Sequence, residues 1–156
     1  MSLAQWKANG WLKPHKTDFQ ELHNLLELVD RDIEDSNSRG LSLDWQFGIV
    51  YNAVLKLCTM MLYDAGFMPE KNLAHFRTLA SIEYTLGPKY KEDAIYLDAC
   101  RIKRNHVEYD YTNVVSRAEV DELKEFVKEL RAEVVAKLKV KYPTLDIPIE
   151  DPPAAE

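Results

Sequence analysis

Apolar residues recur at helical spacing through most of the chain. Phe19, Leu22, Leu26, Val29 and Ile33 step by three and four, the stripe of an amphipathic helix. Thr17 with Gln20 has the form of a capping box, so this first helix is expected over residues 17–37, closed by Arg39-Gly40. Ser42 is placed to cap a second helix over residues 43–65, which is apolar nearly all round: Trp45, Phe47, Val50, Val54, Leu57, Met60 and Met61 leave only Gly48, Asn52, Lys56 and Thr59 as a thin polar line. A helix of that kind sits at the centre, covered by other helices or by a second subunit. Gly66 ends it, and Pro69 suits the first turn of a third helix over 70–86, with Leu73, Phe76, Leu79 and Ile82 inward. Gly87-Pro88 is a stop, and a fourth helix runs to about Tyr109 with Ala94, Ile95, Leu97 and Ile102 spaced for one buried face. Ser116 and Glu119 form a second capping box, opening a fifth helix from Arg117 to about Lys141. Val120, Leu123, Val127, Leu130, Val134 and Leu138 line its inward face, and pairs such as Glu133 with Lys137 its wet one.

These elements predict an all-α, up-and-down bundle of about five helices over residues 17–142. Residues 1–16, with Trp6 and Trp11, read as an arm packed on the body; 143–156 read as a Pro-rich, acidic, mobile tail. A chain of 156 residues is one domain, large enough to bury a core. Its net charge of −6 excludes a protein that coats nucleic acid non-specifically, although a local cationic patch is compatible with it. Cys58 and Cys100 fall inside helical patterns, so no disulfide framework is implied and a reducing cytoplasm fits. No signal peptide and no apolar run long enough to span a membrane is expected.

The missing motifs narrow the chemistry. There is no His-Glu-x-x-His, no Glu-x-x-His, no paired Cys, no Gly-rich phosphate loop and no Gly-x-Ser-x-Gly. Neither a metal nor a cofactor is therefore expected. His15, His23 and His75 are scattered and read as structural or surface groups. What stands out is the run from Cys100 to Thr112, which crowds cations, an amide, an imidazole, carboxylates and phenols together. Asp98, Arg101, Asn105 and Tyr109 share one stripe of the fourth helix. Arg101, Lys103 and Arg104 lie close, with Lys89 and Lys91 upstream. A guanidinium can fork onto phosphate, and an imidazole, here that of His106, can exchange a proton near neutral pH. Together they suit metal-free cleavage of an RNA phosphodiester. The competing reading is that cations near a helix C-terminus only complement the macrodipole.

The segment resembles the HEPN family of small helical bundles, through Leu41-Ser42-Leu43-Asp44-Trp45, Tyr51-Asn52-Ala53 and an Arg-x-x-Arg-Asn-x-x-x-Tyr motif. The resemblance implies a metal-independent ribonuclease, often a toxin paired with a minimal nucleotidyltransferase as antitoxin, or a relative that has lost catalysis and serves in binding or assembly. Two registers fit. Arg101 and His106 satisfy Arg-x4-His, but Ile102 then follows the Arg where a polar residue is expected. Arg104-Asn105 matches the favoured start, and Tyr109 then takes the His position, with Tyr111 two further on. A phenol, with a pKa of about 10, is a weak base at neutral pH. Either pair is separated by about 140° of helical rotation, which favours a site completed by a second subunit in a homodimer. The ligand expected is RNA or a nucleotide phosphate, with Asp98 and Asp110 ordering the guanidiniums. In the alternative, a non-catalytic assembly protein, Arg104 and Asn105 are structural and tie the helix to Asp30, Asp32 or Asp35.

Overall fold

The computed structural model describes residues 1–109 and 114–149. The all-α bundle expected from the periodicity is present. Its long members are α2 (Phe19–Asp35), α3 (Leu43–Asp64), α6 (Lys91–Tyr109) and α7 (Arg117–Leu138). Short helices α1 (Leu3–Ala8), α4 (Ala74–Ala80) and α5 (Ile82–Thr85) lie between and before them.

Helix α3 is the hub. Its apolar circumference packs against α2 and α7 and also against α4 and α6. Val50, Tyr51, Ala53, Val54, Leu57, Cys58 and Met60 are all buried along it. Trp45, in its first turn, is the exception and is exposed. On the α7 side, each of the inward positions read from the sequence, Val120 to Leu138, is buried. The Ser116–Glu119 capping box closes reciprocally, satisfying backbone donors that would otherwise be orphaned. Polar links rim that packing: Arg131 grips Asp30 through two bonds of 2.6 and 3.0 Å. Lys124 donates to the Gln46 amide oxygen at 3.0 Å and to Asn37 at 3.1 Å. Lys56 holds Asp32 at 2.6 Å.

Several expectations are corrected. Asp18, one residue later than Thr17, caps α2, because its carboxylate accepts the Glu21 amide. The arm is more than an appendage: strand β1 (Leu12–Pro14) pairs antiparallel with β2 (Phe67–Pro69), Leu12 opposite Pro69. Pro69 therefore ends a short edge strand, where its missing N–H costs nothing, instead of opening a helix. The third helix starts only at Ala74, after Leu73 takes a left-handed conformation (φ 56°), and is broken at Ser81 into α4 and α5. Leu73 and Phe76 consequently face outward, while Leu79 and Ile82 are buried. Trp6 and Trp11 pack edge-on, Trp6 against Tyr84, and Arg77 lies 4.1 Å over the Trp11 ring, so the arm braces α4. Glu133 faces Lys89 at 3.9 Å. The stretch after Pro143 is anchored at Leu145, whose side chain is buried and whose carbonyl accepts from His23 Nδ1 at 2.9 Å.

Helix α6 departs most from its periodicity. Ala94, Leu97 and Cys100 face inward, but Ile95 and Ile102 are 60% and 45% exposed. The inward face has room for only part of the apolar set because Arg101 and Arg104 share it.

Candidate functional site: an arginine cluster between α3, α4 and α6

Arg104 leaves α6 toward α3. Its guanidinium carbon lies 5.4 Å over the Tyr51 ring, and Nη2 donates to the Asn52 side-chain oxygen across a long 3.4 Å. Arg101 sits one turn earlier on the same side, 5.6 Å over the Phe76 ring of α4. Its Nε donates to Asp98 Oδ1 at 2.8 Å, so the expected ordering of a guanidinium by Asp98 is in place. That bond uses the edge nitrogen. The terminal nitrogens of Arg101, the pair that forks onto an oxyanion, make no bond to any described residue. Both cations thus rest on aromatic faces, an arrangement arginine favours over lysine.

Tyr51 forms the floor. It is fully buried, and its hydroxyl has no hydrogen-bond partner among the described residues. Burial pushes the phenol up to about 12, with Arg104 and Arg101 pulling the other way. A buried hydroxyl left without a partner costs about 1–3 kcal/mol. His75, from the first turn of α4, is exposed at the edge of the cluster, its ring 6.5 Å from that of Tyr51. Partial desolvation, then Arg104 and Arg101, hold its imidazole below the ordinary value.

The motif residues do not all converge. His106 is exposed and leaves α6 about 200° from Arg104, on the far side of the helix. Asn105 is also exposed. Lys103 turns to α7, pairing with Glu119 at 3.0 Å, at the edge of a recess of about 270 Å³ that includes Cys100. There Glu119 is held below the usual carboxylate range by the Ser116 backbone N–H and then by Lys103, while burial lifts the Cys100 thiol to about 11. The side chain of Tyr109, and Asp110 and Tyr111, lie outside the described residues. The structural pairing imagined for Arg104 does not form with Asp30 or Asp32, which are taken by Arg131 and by Lys56 and Arg31. His15 and His23 are structural, contacting Glu21 at 2.6 Å and Glu27 at 2.9 Å.

Sequence reasoning missed Tyr51, Asn52 and His75 as members of the site. Asn52 had a signal, as part of the one polar line on an apolar helix; His75 had none, because only the placement of α4 brings it near. Among the described residues no group of three His, Cys, Asp or Glu is placed to hold a metal ion, and no helix is long and apolar enough to cross a membrane.

Fold and site together are those of a helical bundle with two arginines packed on aromatic rings between α3, α4 and α6. Comparison with protein-family models, curated proteins and solved structures finds no match.

Proposed function

We propose that the chain is a HEPN-like bundle whose α3–α4–α6 arginine cluster binds the phosphate of RNA or of a nucleotide. The observation that carries this reading is the placement of Arg101 and Arg104 over Phe76 and Tyr51, two guanidiniums brought into one cluster of an otherwise acidic protein. Arg101 offers terminal donors to non-bridging oxygens, and the buried Tyr51 ring supports Arg104 from below. As a 2′-oxygen attacks phosphorus and the 5′-oxygen leaves, charge accumulates on the non-bridging oxygens, and such donors stabilise it without a metal. The activity proposed is accordingly metal-independent endoribonuclease action of the toxin kind, with a nucleotidyltransferase-type antitoxin as partner.

The same reading includes a homodimer. Ile95, Ala99 and Ile102 form an exposed stripe on the outer face of α6. A second copy crossing antiparallel at Ala99 sets Ile95 of each subunit against Ile102 of the other, with a small residue allowing close approach. An isologous contact needs such self-complementarity.

The second reading, an assembly module with a structural Arg104, is favoured by the Arg104 contacts to Tyr51 and Asn52. Single-stranded RNA incubated with the full chain and excess chelator separates the two. Cutting that is lost in Arg101→Ala and Arg104→Ala, with both variants still folded, supports the nuclease. Intact RNA, together with a loss of several kcal/mol in Arg104→Ala, the range for disrupting a buried charge, supports the module.

A further inference from the structure

Beside the arginine pair lies an exposed imidazole that the motif does not contain. His75 comes from α4, outside the Cys100–Thr112 run, and the outward turn of α6 at His106 leaves it as the imidazole described on the cationic side of that helix. Among the described residues, the groups near His75 are Tyr51 from α3 and Arg101 and Arg104 from α6, with Asp98 engaged by Arg101. On its own helix, Arg77 is turned away over Trp11.

We propose that His75 is the third arm of the anion site and takes up a proton when a tetrahedral oxyanion binds between Arg101 and Arg104. This inference rests on the phosphate-binding reading above and adds to it a residue and a pH dependence.

The physical reason is local charge balance. Without an anion on the guanidiniums, a proton on His75 is opposed by the partial desolvation its neighbours impose on an otherwise exposed ring, and then by Arg104 and Arg101. An anion seated on those guanidiniums offsets their charge and gives the imidazolium an acceptor. Both effects favour the protonated ring, so the proton comes from solvent as the anion arrives. Linkage then requires the reverse: the anion binds more tightly as pH falls through the range in which His75 titrates, and less tightly above it. Tyr51 cannot produce this dependence, because its phenol stays neutral up to about pH 12.

The test is an NMR pH titration of the imidazole resonances of the full chain, with and without inorganic sulfate, a tetrahedral anion of fixed charge across about pH 5 to 8, the range in which imidazoles titrate. His75→Gln assigns the His75 signals and His106→Gln serves as the comparison. The expected result is an upward move of the His75 midpoint by about one unit on sulfate binding, with sulfate affinity about tenfold higher at the acid end than at the alkaline end. In His75→Gln that pH dependence flattens while binding persists. Sulfate binding that is lost in Arg101→Ala but leaves the His75 midpoint unmoved overturns this inference alone. The same holds if the sulfate response belongs to His106. No sulfate binding by the wild-type chain overturns both this inference and the phosphate-binding reading.

Discussion

The two flanks of α3 are built differently. Toward α2 and α7 the packing is mainly apolar, its buried Asp32 and Gln46 are engaged by Lys56 and Lys124, and Arg131 at its rim holds Asp30. Toward α4 and α6 the same helix meets two arginines and an imidazole, and Tyr51 keeps a buried hydroxyl with no described partner. Isoleucines on that flank face water instead of the core. One flank is arranged for stability and the other for occupancy. Buried polar groups with unmet hydrogen-bonding capacity mark places where a protein awaits a ligand or water, and here they coincide with the only motif that stood out in the sequence.

That contrast can be sharpened by substitution. The largest effect is expected on the stability flank. Leu123→Ala removes a fully buried side chain from the α3–α7 seam, and urea unfolding should show a loss of about 2–5 kcal/mol. Ile102→Asp, on the outer face of α6, should leave unfolding unchanged to within about 0.5 kcal/mol, as surface changes do, but convert the proposed dimer to a monomer in sedimentation. An unchanged sedimentation coefficient would remove the α6 stripe as the contact. The smallest effect concerns Tyr51. Tyr51→Phe deletes the hydroxyl without a described partner, so stability at neutral pH should hold or rise by about 1 kcal/mol.

The same residue sets an alkaline limit. Burial raises Cys58 from 9.0 to about 12 and Tyr51 from 10.0 to about 12. Both are buried neutral, so the stability they contribute is complete below the unfolded values and declines as pH rises through the folded ones. Alkaline unfolding between about pH 9 and 12 should therefore be shallower in Tyr51→Phe than in the wild-type chain.

How much was legible followed the same division. The inward face of α7 could be read residue by residue, because an apolar stripe on a polar helix has one place to go. On α6 the rule failed at Ile95 and Ile102, since Arg101 and Arg104 compete for the inward face by stacking on rings that belong to other helices. Asn52 was visible as a break in apolarity. His75 was not, because its role depends on the arm and the β1–β2 pair that brace α4, contacts between residues far apart in sequence. Pro69 misled for a related reason: a proline at a helix start and one at a strand edge look alike until the partner strand is known.

The most direct measurement of the central claim is the salt dependence of single-stranded RNA binding by fluorescence anisotropy, for the wild-type chain, Arg101→Ala and Arg104→Ala. Phosphate held by these two side chains predicts weaker binding in each variant and a slope of log affinity against log salt reduced by about 0.7 for each Arg removed. Equal affinity and equal slope in all three proteins would contradict it.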